Sequence, residues 1–248
     1  MKKNFLFTTI AVLSVASMVL FSACNKKSAV DNNPNSNAAG LMGFNLVPGK
    51  SVQITIGGNI LPGSPLAFNN FTGTYLPIFP GTRTIESFDY STGSSLATAS
   101  DSFAINKYYS VFVVGTTGTY RNVIVNDNFE SLTTAGKAYI RYINAINGPS
   151  NVSVNISGTG VNNSNAAFGS VSGFEAVTPG TATITASDGA SINVNRTITT
   201  EANTVYTVLL SSGATSSDPA QIKYIVNGTL DNTSGQRISS AVRTATIK

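Results

Sequence analysis

An internal repeat of about one hundred residues is the feature that most constrains the fold of this chain. The stretch Val52-Gln53-Ile54-Thr55-Ile56 aligns with Val152-Ser153-Val154-Asn155-Ile156 at an offset of 100. Four further pairs of landmarks follow in the same order, with offsets from 97 to 101: Ala67-Phe68 with Ala167-Phe168, Pro80-Gly81-Thr82 with Pro179-Gly180-Thr181, Tyr109-Ser110-Val111 with Tyr206-Thr207-Val208, and Val125-Asn126 with Val226-Asn227. Such a repeat predicts two copies of one domain, 39–128 and 137–248, which should be separable near 128–137.

Each copy has the pattern of β-strands. Val152, Val154 and Ile156 alternate with polar residues, which is the period of a half-buried strand. Asp188-Gly189 lies between two such stretches and predicts a hairpin turn. We expect about seven short strands per copy and almost no helix, hence an all-β chain of two tandem immunoglobulin-like β-sandwich domains. The final segment, 238–247, alternates too weakly to decide whether it forms an extra edge strand.

The N-terminus has the pattern of a bacterial lipoprotein signal. Lys2 and Lys3 precede an apolar run over 5–21, and small residues lead into Cys24, the only cysteine. This order predicts removal of residues 1–23 and diacylation of Cys24. The protein would then be anchored in the outer membrane, on its periplasmic or its surface face. An uncleaved anchor or ordinary secretion is the alternative, although the run is shorter than the roughly 20 residues of a spanning helix.

The polar segment 24–38 should be a flexible tether between the lipid and the first domain. A random coil of this length has a root-mean-square reach of about 20 Å. The mature chain would carry 13 basic residues (15 minus Lys2 and Lys3) against 11 acidic ones, without a basic cluster. We therefore expect the lipid anchor to attach it to the membrane, and we expect no nucleic-acid partner.

The residue inventory narrows the possible chemistry. The chain has no histidine, and lipidation of Cys24 would leave no thiol. Histidine-dependent acid–base catalysis, disulfide bonds and zinc bound by histidine or thiolate are thereby excluded. We expect no metal site and no cofactor.

Carboxylates are the remaining candidates for catalysis. Glu86 and Glu175 are the residues that a glycan-active enzyme could use, but neither has an evident acidic partner. The densest acidic stretch, Asp127-Asn128-Phe129-Glu130, is interpreted as a solvated turn between the domains, with a weak calcium loop as the alternative. The sequence therefore predicts a protein that is not an enzyme. Arg141 has no acidic partner in its own motif and is interpreted as a rim or structural position.

Several motifs carry a family resemblance. These are Arg141-Tyr142-Ile143-Asn144-Ala145 with Pro149 and Gly158, Val177-x-Pro179-Gly180-Thr181, and Val205-Tyr206-Thr207-Val208. Over 138–213 the chain resembles the bacterial domain of unknown function 4397 family. The first copy, about 40–116, keeps the Pro-Gly-Thr and Tyr109 landmarks but lacks the arginine. The resemblance implies β-sandwich domains in envelope lipoproteins, often in tandem, and it brings no assigned activity. Ser153 stands where members commonly carry aspartate.

Aromatic residues are unevenly distributed between the copies. Positions 40–128 hold 12 phenylalanines and tyrosines, against 6 in 137–227. Most should pack in the core, but Phe71, Tyr75 and Tyr90 fall near strand ends and turns. We expect these three to contribute to a partner-facing edge of the first domain. The sequence therefore favours a lipid-anchored, non-catalytic envelope module for a protein or glycan partner. A carboxylate-dependent glycan-active enzyme is the alternative.

Overall fold

The computed structural model describes residues 37–116, 118–148, 151–231 and 237–239, and these are almost entirely β-structure. The all-β prediction is confirmed. Within these ranges the helical content is a single 3₁₀ turn, Phe129–Ser131. No helix in this part of the chain is long and apolar enough to cross a membrane.

The first repeat contains nine strands in two sheets. An inner sheet has the order β4-β1-β8-β9, with β5 also paired to β1, and an outer sheet has the order β3-β2-β6-β7. The strands are β1 (Ala39–Asn45), β2 (Val52–Ile56), β3 (Asn59–Ile60), β4 (Asn70–Phe71), β5 (Leu76–Ile78), β6 (Gly81–Asp89), β7 (Ser95–Phe103), β8 (Tyr108–Thr116) and β9 (Thr119–Asn126).

The second repeat has the same plan. Its inner sheet has the order β13-β10-β16-β17-β18, and its outer sheet has the order β12-β11-β14-β15. The strands are β10 (Ala138–Ala145), β11 (Val152–Ile156), β12 (Asn162–Ala166), β13 (Glu175–Val177), β14 (Gly180–Ser187), β15 (Asn193–Thr200), β16 (Thr204–Ser211), β17 (Gln221–Asp231) and β18 (Arg237–Ser239). In both repeats the first strand runs parallel to the penultimate long one, β1 beside β8 and β10 beside β16.

The described strands number nine per repeat where about seven were expected. Several of the additional strands have only two or three residues, which is too short for a period of two to show. The predicted hairpin is confirmed between β14 and β15, where Asp188 Oδ1 accepts hydrogen bonds from the backbone N–H groups of Ala190 and Ile192. In the C-terminal segment 238–247, Ile238 and Ser239 belong to β18, which pairs with β17, and 240–247 lies outside the described residues.

One of the repeated landmarks, Tyr109 with Tyr206, has a structural explanation, and a pair of asparagines repeats in the same way. Tyr109 and Tyr206 each accept a hydrogen bond from a backbone N–H five residues upstream, both at 2.9 Å. Such a bond fixes the corner at which the chain crosses from one sheet to the other. Asn45 and Asn144, at the ends of β1 and β10, each donate to backbone carbonyl groups and accept from the N–H two residues on.

The two inner sheets pack face to face, so that the molecule has four β-layers. One apolar cluster lies inside each sandwich, and a third contains Met42, Phe44 and Phe112 of the first repeat with Ile143 and Leu209 of the second. Every residue of β1 and β10 is consequently buried, whereas the outer strand β11 alternates between buried and exposed positions. That the repeats can be separated near 128–137 stays a prediction. The apolar cluster shared by the two inner sheets argues against it.

Four long inner strands, β1, β8, β10 and β16, run in the same direction, and β9 and β17 run the opposite way. At one end, the tether end, lie Ala38 and the starts of β8, β10 and β16, where an apolar cluster contains Tyr108, Tyr139 and Val205. At the other, the cleft end, lie the loops that follow β1, β8, β10 and β16. Because strands rise about 3.3 Å per residue, the seven residues of β1 separate the two ends by about 20 Å.

Candidate functional site

A buried ion pair joins the two repeats. Arg141 in β10 donates from Nη1 to Oδ1 of Asp127, which follows β9, over 2.5 Å. The two side chains are 2% and 0% exposed. A buried charge without a partner would cost several kcal/mol, so each of these residues requires the other.

Four polar side chains complete the arrangement around the pair. Tyr75 and Ser110 donate their hydroxyl groups to Asp127 Oδ2 over 2.5 and 2.6 Å. Arg141 also donates from Nη2 to Ser110 Oγ and from Nε to Thr207 Oγ1, both over 3.0 Å. We call these residues the interface network; its members are Tyr75, Ser110 and Asp127 of the first repeat, and Arg141, Thr207 and Asn227 of the second.

The interface network closes on itself through Asn227. Thr207 donates to Asn227 Oδ1 over 2.6 Å, and Asn227 Nδ2 donates to the Tyr75 hydroxyl over 3.0 Å. A circuit of donors therefore runs from Arg141 through Thr207, Asn227 and Tyr75 to Asp127. A buried polar network whose members are all bonded specifies one packing arrangement, because any shift leaves a donor or acceptor unpaired.

The pKa of Tyr75 is consistent with Tyr75 donating its hydroxyl group to Asp127. Burial raises the pKa of Tyr75 well above its usual value, and the nearby Asp127 carboxylate raises it further. The phenol therefore stays protonated and donates. The Arg141 guanidinium also lies 4.3 Å from the centre of the Phe174 ring and 5.7 Å from that of Phe112, which adds a cation–π contribution.

The structure differs from two interpretations of the sequence. Asp127 and Phe129 are 2% and 3% exposed, so only Asn128 and Glu130 of this stretch are solvated. Arg141 is not a rim residue, because its partner lies outside its motif, on the preceding repeat. One signal was available in the sequence: Arg141 is the only charged residue in the otherwise uncharged stretch that forms β10, and a buried arginine requires an acidic partner.

A cleft of about 570 Å³ opens between the repeats at the cleft end. The first repeat contributes the loop after β1 and the β8–β9 hairpin, and the second contributes the loops after β10, β14 and β16. Its lining includes Lys50, Tyr120, Asn147, Ala214 and Asp218. Its volume is within the range of about 300–1,000 Å³ that is usual for small-molecule sites.

The charged groups at the cleft are paired within the chain. Lys50 forms an ion pair with Asp89, and hydrogen bonds from Lys50 and Ser91 lower the pKa of Asp89 to about 2. The same hydrogen bond to Asp89 raises the pKa of Lys50. Asp218 Oδ2 accepts from the backbone N–H and the hydroxyl of Thr215 over 2.8 and 2.9 Å. Besides the Lys50 ion pair and the hydrogen-bonded Asp218 carboxylate, the cleft offers hydroxyl, amide and apolar groups to a ligand.

One long loop forms much of the cleft wall. Residues 212–220 join β16 to β17, whereas only residues 117 and 118 join the corresponding β8 and β9. Asn147 donates its backbone N–H to Ser212 Oγ over 2.9 Å, which ties this loop to the one after β10. A Cβ at Gly213 would overlap Asp218, so the turn of the loop requires glycine here.

The three aromatic residues proposed as a partner-facing edge do not share one surface. Phe71 is 7% exposed and stacks on Phe44, with ring centres 5.5 Å apart, so its assignment to an exposed edge is wrong. Tyr75 directs its hydroxyl group into the interface network. Tyr90 alone is well exposed, at 58%. Phe71 is buried and Tyr75 is half-buried because the two repeats pack together, and the sequence of one repeat does not show this packing.

The remaining candidates are not brought together. Cys24 and the tether to residue 36 lie outside the described residues. Glu86 is in the outer sheet of the first repeat and Glu175 is in the inner sheet of the second. Within the described ranges, no group of three or more histidine, cysteine, aspartate or glutamate residues could hold a metal ion.

Comparison with known families confirms the resemblance noted in the sequence. The family model described as "Domain of unknown function (DUF4397)" matches residues 39–155. The match covers the first repeat, the connection between the repeats and the opening strands of the second, rather than the 138–213 stretch on which the resemblance was placed. It therefore includes both Asp127 and Arg141.

Other comparisons add little. No curated protein matches the chain. One similar solved structure is a provisionally described cell adhesion protein from Bacteroides fragilis NCTC 9343. It is 10% identical, with 77% of this chain and 88% of that chain covered, and the TM-score is 0.22. We draw nothing about fold or function from a likeness of this size.

Proposed function

We propose that this protein is a lipid-anchored, non-catalytic binding module of the bacterial cell envelope, and that it holds an uncharged glycan or peptide segment in the cleft between its repeats. The observation that carries the proposal is that loops of both repeats build one cleft. This cleft lies at the end opposite Ala38, the point at which the chain leads back towards Cys24.

The chemistry of the cleft supports an uncharged ligand. Its ammonium group and its carboxylate are already bonded to Asp89 and Thr215. The groups left to contact a ligand are the ring of Tyr120, which is half-buried, and nearby serine, threonine and asparagine side chains. Rings of this kind stack on sugars or apolar side chains, and short polar side chains fix the orientation of the ligand.

A binding role is favoured over hydrolysis because of the carboxylates. Glycosidases commonly need two carboxylates on either side of the scissile bond. Asp218 is the only carboxylate among the residues that line this cleft, and it is held by Thr215. Glu86 and Glu175 lie on different sheets, outside the cleft.

The test is binding to arrays of neutral glycans and of peptides, with the cleft blocked in one variant. Ala214 is exposed in the long loop, so Ala214→Trp should fill the cleft without disturbing the core. We expect this variant to lose binding. Tyr90→Trp is the control, because Tyr90 is exposed at the same end but does not line the cleft. Binding that survives Ala214→Trp, or the absence of binding on both arrays, would contradict the proposal.

A further inference from the structure

The tether end of the first repeat exposes two large apolar side chains. Phe79, between β5 and β6, is 80% exposed, and Ile105, between β7 and β8, is 47% exposed. Both connections cross from one sheet of the sandwich to the other at this end. An exposed phenylalanine is costly in water, because its apolar surface is covered by nothing.

These two side chains flank the residue at which the folded part begins. Ile78 pairs with Ala39, so Phe79 comes level with Ala38 on one side of β1. On the other side, Asn106 donates its backbone N–H to the Ala38 carbonyl over 2.9 Å, which places the turn containing Ile105 there. Since neighbouring strands lie about 4.8 Å apart, the two turns are about 10 Å from each other.

A basic side chain, Arg83, is held beside Phe79, the more exposed of the two apolar side chains. Arg83 donates from Nη2 to the Pro80 carbonyl over 3.1 Å, and its guanidinium lies 6.0 Å from the centre of the Phe79 ring. An apolar ring with a cation next to it suits the boundary between lipid headgroups and acyl chains, where the ring enters the apolar layer and the cation meets phosphate.

The position of Cys24 identifies what would cover this surface. Thirteen residues, 25–37, separate Cys24 from Ala38, so the two α-carbons are at most about 50 Å apart. A lipid on Cys24 would hold this end close to a membrane at a high effective concentration, at which even weak insertion is populated.

We infer that Phe79 and Ile105 dock the first repeat on the lipid surface that carries the Cys24 anchor, so that the cleft opens away from the membrane. The inference rests on the proposed function for the anchor itself. It adds an orientation: the protein stands on its tether end and presents the loops of its cleft end to the space beyond.

The absence of tryptophan from the chain gives a direct test. Phe79→Trp introduces a single tryptophan, whose emission can be excited apart from that of the tyrosines, and Tyr90→Trp introduces a matched one at the cleft end, where Tyr90 is also exposed. Protein extracted from membranes is reconstituted into phosphatidylethanolamine–phosphatidylglycerol vesicles with and without brominated acyl chains. We expect brominated lipid to cause a loss of emission for Phe79→Trp and none for Tyr90→Trp. Adding Ile105→Ser to Phe79→Trp should reduce that loss.

Equal emission with both lipids for Phe79→Trp would overturn docking. A dimer that survives reconstitution and shields the introduced tryptophan from brominated lipid would also overturn it, with a second copy of the chain as the occupant. The anchor is assessed separately by intact mass. If Cys24 carries no lipid, that part of the proposed function fails; lipid-maleimide is then coupled to Cys24, the single thiol, and the same emission measurement still decides whether this end docks.

Discussion

The long strands of the two repeats have the same order, and two differences between the repeats lie where they meet. Met42 pairs with Ser110 in the first repeat at the position where Arg141 pairs with Thr207 in the second. The connection after β8 has two residues, whereas the one after β16 has nine, 212–220. The first difference supplies the buried charge of the interface network, and the second supplies a wall of the cleft. The shared strands form the scaffold, and the asymmetry between the copies builds the candidate site.

The largest effect should follow from removing the asymmetry in the inner sheets. Arg141→Met gives the second repeat the residue that the first has at this position, and it leaves the Asp127 carboxylate buried without its cation. We expect a loss of about 3–5 kcal/mol in the free energy of unfolding, measured by urea titration. Arg196→Met on the outer strand β15 is the control; Arg196 is half-buried and bonds a single carbonyl, so about 1 kcal/mol should be lost.

A double variant sharpens this result. Replacing Asp127 by leucine as well as Arg141 by methionine removes both charges, and apolar replacements of a buried ion pair are often neutral. We expect the double variant to recover much of the loss. If Arg141→Met alone lies within about 1 kcal/mol of the natural chain, the ion pair does not hold the repeats together.

A smaller effect should follow from opening the circuit of hydrogen bonds. Tyr75→Phe removes the hydroxyl group that links Asn227 to Asp127, and it leaves a buried amide without its acceptor. Such a group costs about 1–3 kcal/mol. The matched control is Tyr90→Phe, which should change stability by less than about 0.5 kcal/mol because Tyr90 is mostly exposed. Equal stability of the two variants would show that the circuit contributes nothing.

These residues also show how much of the molecule could be predicted from the sequence. Strand alternation and turn signals such as Asp188-Gly189 predict the sandwich class, because they depend on contacts within one repeat. The contacts of Phe71, Asp127 and Arg141 depend on packing between the repeats, which the alternation of one copy does not record. The cleft was missed for the same reason, since its wall is a polar loop that is indistinguishable in composition from any surface connection.

The smallest expected effect is on the stability of the protein at acidic pH, through Asp89 at the cleft end. The folded pKa of Asp89, about 2, lies below the value of about 3.9 for an unfolded aspartate. Its stabilising contribution is therefore complete above about pH 4 and is lost as the pH falls towards about 2. We expect Asp89→Asn to lower stability at neutral pH and to flatten its dependence on pH over that window. An unchanged slope in urea titrations at several acidic pH values would contradict this role.

We expect the two repeats to unfold as one body, because the interface network and the apolar cluster between the inner sheets join them. Differential scanning calorimetry of the natural chain tests this most directly. We predict a single unfolding transition with equal calorimetric and van't Hoff enthalpies, because neither inner sheet keeps its buried face when the other unfolds. Two transitions of similar enthalpy, one for each repeat, would contradict the claim and would favour two independently folding domains.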